Sequence, residues 1–87
     1  MQNNVINKSQ YNASLDTLVY TTLTALKLAG NKSVYRKELY DIVHKTCGLP
    51  DVSNQDGRYI TSAINRWIKQ HGGEYINKQS KFACVVF

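Results

Sequence analysis

Arg58, Ser62, Asn65, Arg66 and Lys69 are spaced so that a helix turning about 100° per residue gathers them on one side. They supply three cations, one amide and one hydroxyl, with no acid among them. Arginine and asparagine can pair bidentately with guanine or adenine edges, whereas lysine and serine hold phosphate oxygens whatever the sequence. The bland reading of the same stripe is a solvated helix surface, which charged faces usually are. Four further cations stand apart from it, Lys78 and Lys81 in a polar turn and Arg36 and Lys37 at the start of another helical stretch.

The element carrying the stripe must bury its other side. Ile60, Ala63, Ile64, Trp67, Ile68 and His71 recur at i, i+3, i+4, i+7, i+8 and i+11, one apolar seam of a helix over 54–71. Ser53-Asn54-Gln55-Asp56 has the capping-box form that would start this helix, with an acid near the positive end of its dipole, and Gly72-Gly73 would stop it. Residues 74–77 and 82–87 then predict a two-stranded hairpin around Lys78-Gln79-Ser80-Lys81. A last strand as apolar as Val85-Val86-Phe87 needs pairing and cover, so it is expected beneath the helices.

Upstream, residues 1–13 hold four asparagines and two glutamines without periodicity and predict a flexible arm before a domain over 14–87. Ser14 as N-cap, Asp16 in the first turn, Lys27 near the end and Gly30 as a left-handed stop predict a first helix over 15–29. Its core face is expected to be Leu15, Leu18, Val19, Thr22, Ala25, Leu26 and Ala29. The second stripe, Tyr20, Thr24 and Leu28, suggests a dimer contact. Ser33 to Tyr35 form a short strand or lead into a second helix with core positions Leu39, Ile42, Val43 and Thr46, ended by Gly48 and Pro50.

Eighty-seven residues make one domain with a small core, which disfavours a large enzyme cleft. Of the net +5, residues 1–56 carry six cations against five acids, and 57–87 carry five against one. The excess therefore sits on the third helix and the hairpin, where it favours a polyanionic partner, most commonly nucleic acid. No run of 18 apolar residues and no secretory signal is present, so an intracellular location is expected and a membrane partner is not. Two cysteines far apart do not make a disulfide framework.

His44, Cys47, His71 and Cys84 have the composition of a zinc site, but His44 projects opposite its helix's core residues and His71 lies in a buried stripe, so they should not converge. No metal or other cofactor is expected. Asp41 and His44, one turn apart, have no nucleophile placed beside them, and Gly72-Gly73 ends a helix where a phosphate loop would begin one. No enzyme is expected.

The order helix, short strand, helix, turn, helix, hairpin resembles the winged helix-turn-helix superfamily over about 15–87. The resemblance rests on Arg36-Lys37-Glu38-Leu39, the helix with Ile64 and Trp67, the Gly72-Gly73 stop and the Lys78 to Lys81 turn. It implies an α+β, mainly α fold with a three-helix core and a C-terminal two-stranded wing. It further implies a third helix in the major groove, a wing along the backbone, and Arg36 and Lys37 at phosphates. One departure is the connection from helix 2 to helix 3, longer than in a compact helix-turn-helix. A sequence-specific double-stranded DNA-binding regulator of transcription or replication is the leading expectation, acting as a homodimer on a palindromic site. Eight lysines against three arginines, with eight asparagines, suggest an AT-rich source such as a phage or plasmid. The rival expectation is a winged-helix module that binds a protein, for instance a phage- or plasmid-encoded inhibitor of a host nucleic-acid machine.

Overall fold

A computed structural model describes residues 8–47 and 56–87, with the side chains of Lys8, Ser9, Tyr11 and 56–59 excepted. The elements run α1 (Lys8–Leu28), β1 (Ser33–Tyr35), α2 (Arg36–Asp41), α3 (Asp56–His71), β2 (Glu74–Ile76) and β3 (Cys84–Val86). The chain is therefore mainly helical with a small antiparallel sheet, an α+β arrangement. Expected features at 1–7 and 48–55, including the linker after Gly48 and the Ser53 cap, lie outside the described residues.

Helix α1 starts at Lys8, so residues 8–13 are helical where an arm was expected, and Ser14 lies inside the helix rather than capping it. The cause is tertiary. Asn12 is half-buried and, with Leu15 and Asp16, lines a hollow closed by Ser62 and Arg66 of α3. Packing of this kind extends helices beyond what local propensity would carry. The buried face of α1 is Leu15, Val19 and Leu23, with Leu18, Tyr20 and Leu26 partly covered beside it. Leu23 takes the place expected of Thr22, while Ala25 and Ala29 are exposed. The helix ends as expected at Gly30, whose φ of 89° permits a Schellman stop. In it Asn31 N–H donates to Leu26 O and Gly30 N–H to Lys27 O, both at 3.1 Å.

Helix α2 continues into a π-helical turn, Ile42–Thr46, closed by Cys47 N–H on Ile42 O at 2.9 Å. Leu39 and Val43 are buried, Ile42 is half-buried and Thr46 is exposed. The N-terminus is fixed by Tyr35 N–H donating to Glu38 Oε1 at 3.0 Å. In α3, Ile60, Ala63, Ile64 and Trp67 are buried as their spacing predicts. His71 stays at the surface, its ring stacked on Trp67 with centroids 4.7 Å apart.

The expected hairpin is one half of a three-stranded sheet in the order β1-β3-β2. Ser33, Val34 and Tyr35 pair with Val86, Val85 and Cys84, and Glu74, Tyr75 and Ile76 pair with the same three residues. Strand β3 is thereby the centre of the sheet, which accounts for its apolar sequence: Val85 is fully buried between Val34 and Tyr75 on the core side. Phe87 beyond it sets its ring edge-on to Trp67 at 5.8 Å. Gly73 makes the entry to β2 possible, since its φ is 98° and a Cβ there would lie 2.6 Å from Val86 O.

Candidate nucleic-acid interface

Helix α3 is held on two flanks, and the strip between them faces outward. Toward α1, Arg66 Nη2 meets Asp16 Oδ1 at 2.5 Å and Gln70 Oε1 accepts from the Tyr20 hydroxyl. Toward the sheet, Thr61 Oγ1 lies 3.1 Å from Tyr75 Oη. Beneath, Trp67 Nε1 donates to Thr24 Oγ1 at 3.1 Å, which satisfies the one polar atom of the largest buried side chain. Lys27 of α1 closes the far end: its Nζ donates to His71 O at 3.0 Å and lies over the Trp67 ring, placing a cation at the negative end of the α3 dipole.

Asn65 and Lys69 make up the outward strip, with Ser62 at its α1 edge, where it borders the hollow lined by Asn12, Leu15 and Asp16. All three are exposed, and among the described residues none has an intrachain hydrogen bond or ion pair. Arg66 belongs to this stripe by spacing, yet its guanidinium is engaged by Asp16, in a pair whose side chains remain 56% and 41% exposed. The side chain of Arg58 lies outside the described residues.

Lys78 and Lys81 occupy the turn between β2 and β3 and are exposed. Their ammonium groups sit over aromatic rings, Lys78 over Tyr75 at 5.8 Å and Lys81 over Phe82 at 5.5 Å. Lys37 is exposed on the first turn of α2. Arg36, expected beside it as a phosphate contact, turns inward. Its Nη1 donates to Tyr75 Oη at 3.2 Å, to Lys78 O at 3.1 Å and, more weakly, to Thr61 Oγ1 at 3.5 Å, while Nη2 donates to Ser80 O at 3.2 Å. A guanidinium engaged on both ends of its fork is a structural clamp. Nothing short of the fold, which brings 36, 61, 75 and 78–80 together, could have revealed it.

The stripe Tyr20, Thr24 and Leu28 does not form an open contact surface. Tyr20 and Thr24 are spent on Gln70, His71 and Trp67 of the same chain, leaving only Leu28, 82% exposed. A different apolar surface lies on the outer side of the sheet. Tyr35 and Ile76 flank Cys84 in one row and are 51% and 40% exposed, with Phe82 nearby in the turn at 58%. Cys84, between Tyr35 and Ile76, is a free cysteine and is buried.

Asp41, expected beside His44, pairs instead with Lys45 at 3.7 Å, and His44 packs on the Tyr40 ring. Among the described residues no three histidine, cysteine or acidic side chains converge as a metal ion would require. None of the described helices is long and apolar enough to cross a membrane. Compared with known proteins, the chain matches no family model, no curated protein and no solved structure.

Proposed function

We propose that this chain is a winged helix-turn-helix protein that binds double-stranded DNA sequence-specifically, as a small regulator of transcription or replication. The carrying observation is the acid-free strip of Ser62, Asn65 and Lys69, exposed and unbonded between two flanks of α3 that are each tied down. A helix so held presents a fixed edge, and fixed geometry is what a bidentate base contact needs. The element order, with a three-stranded sheet whose last turn carries Lys78 and Lys81, supports the same reading.

In this arrangement α3 enters the major groove. Asn65 pairs with an adenine edge, and Ser62 and Lys69 bind flanking phosphates together with Arg58. Lys78 and Lys81 follow the neighbouring backbone, and Lys37 reaches a phosphate from the start of α2. One domain of this size makes few contacts, so two copies related by a two-fold axis would present their α3 helices about 34 Å apart to a palindrome.

Selection from a pool of random duplexes is the test. Enrichment of one palindromic motif is expected. A second reading, a module that docks on a protein, is favoured by the exposed Tyr35, Ile76 and Phe82 on the outer sheet face. A pool left without any motif, bound weakly and without salt dependence, would favour that second reading and end the first.

A further inference from the structure

We infer that Arg36 is a positioning residue that sets the wing against the reading helix, so that the two DNA-contacting elements move as one body. The DNA-binding part of this inference rests on the function proposed above; the mechanical part does not.

The wing has little of its own to hold it. Strands β2 and β3 contribute three residues each, and the turn from 77 to 83 closes on a few local bonds. These are Ser80 N–H and Ser80 Oγ to Asn77 O, Ala83 N–H to Ser80 O, and Phe82 N–H to Ser80 Oγ. Asn77 adopts a φ of 55°, a left-handed conformation that asparagine tolerates better than most side chains. A short hairpin with a seven-residue turn is marginal without outside support.

The base of the strands is held by pairing of β3 with β1 and by burial of Tyr75, Ala83 and Val85, whereas the turn itself is supported by one side chain on another element. Arg36 is anchored by its own backbone, whose N–H donates to Ala83 O at 2.8 Å at the base of the turn. Its guanidinium then donates to two carbonyls inside the turn, Lys78 O and Ser80 O, and to the hydroxyls of Tyr75 on β2 and Thr61 on α3. The carbonyl of Lys78 belongs to a residue placed at the DNA backbone, and Thr61 sits beside Ser62 of the reading strip. One planar fork therefore ties wing, sheet and α3 together.

Among the described residues no carboxylate pairs with this half-buried guanidinium. Its charge is met by neutral oxygens, so it adds to the positive potential under the wing instead of cancelling there. Lysine would keep the charge, but its three donors share one nitrogen and could not span the separated carbonyls as a planar fork does.

The test compares wild-type chain with Arg36→Lys, using trypsin cleavage of the free protein and duplex binding across salt concentrations. In the variant, cleavage after Lys78 and Lys81 is expected to run about tenfold faster, the cost of releasing the turn, with cleavage after Lys69 unchanged. The salt slope is expected to shrink by about 1.8, the share of two wing lysines that no longer sit at phosphates. Wild-type cleavage rates and an unchanged slope in Arg36→Lys would overturn the inference. Should wild type bind no duplex, the DNA reading fails by itself and the cleavage comparison still decides the clamp.

If Arg36→Lys loses its helical circular dichroism altogether, Tyr75→Phe is the deciding variant, because it removes one partner of the fork and keeps the ring. Faster amide exchange over 77–83 would then support the clamp. Unchanged exchange over 77–83 would overturn it.

Discussion

Asn65 carries base selectivity in the proposed complex, because its amide alone in the exposed strip presents a donor and an acceptor on separate atoms, which match N7 and N6 of adenine. Asn65→Ala should relax preference at a single position by about 1–3 kcal/mol, measured with a panel of single-substitution duplexes. Lys78→Ala should instead weaken every duplex alike. Asp16 gives a sharper contrast, since its ion pair with Arg66 would withhold that guanidinium from DNA in the proposed complex. Asp16→Asn should steepen the salt slope by about 0.9, one added phosphate contact, while costing stability only about 0.2–1 kcal/mol, as expected of an exposed pair. The spacing of Arg66 placed it correctly on the helix surface. Its partner was not legible, because Asp16 and Arg66 are fifty residues apart and only the packing of α1 on α3 joins them.

At the scale of elements, α3 was the most readable, because its buried apolar residues fall on one narrow seam. Helix α1 was not. Leu15, Leu18, Val19, Tyr20, Leu23, Leu26 and Leu28 surround much of its circumference, so the sequence permits several faces, and contact with α3 selects the one through Leu23. Local pattern also found β1 as one option, but not its pairing with β3, since register between strands fifty residues apart leaves no local trace. Two substitutions test how these elements are held. Thr24→Val should leave Trp67 Nε1 buried without a partner and lower unfolding free energy by about 1–3 kcal/mol in urea titration. Gly73→Ala forces both a left-handed conformation and a Cβ against Val86 O, and should cost at least about 2 kcal/mol in the same assay.

For the whole molecule, basic and apolar surface meet at the wing turn, where the Lys81 ammonium lies over the Phe82 ring. Lys69 on α3 and Lys78 and Lys81 in the turn are exposed, and Tyr35 and Ile76 form an exposed apolar row across Cys84 on the outer face of the sheet. The net +5 was legible from composition, whereas this apolar row was not: Tyr35 and Ile76 become neighbours only through their shared partner strand. Binding of duplex DNA by the basic region is the claim on which the functional reading stands, and titration of labelled duplex at several salt concentrations tests it most directly. Five phosphate contacts per subunit, from Arg58, Lys69, Lys78, Lys81 and Lys37, give an expected log–log slope of about −4.5 per subunit. A slope near zero, with affinity the same for every sequence tried, would contradict it.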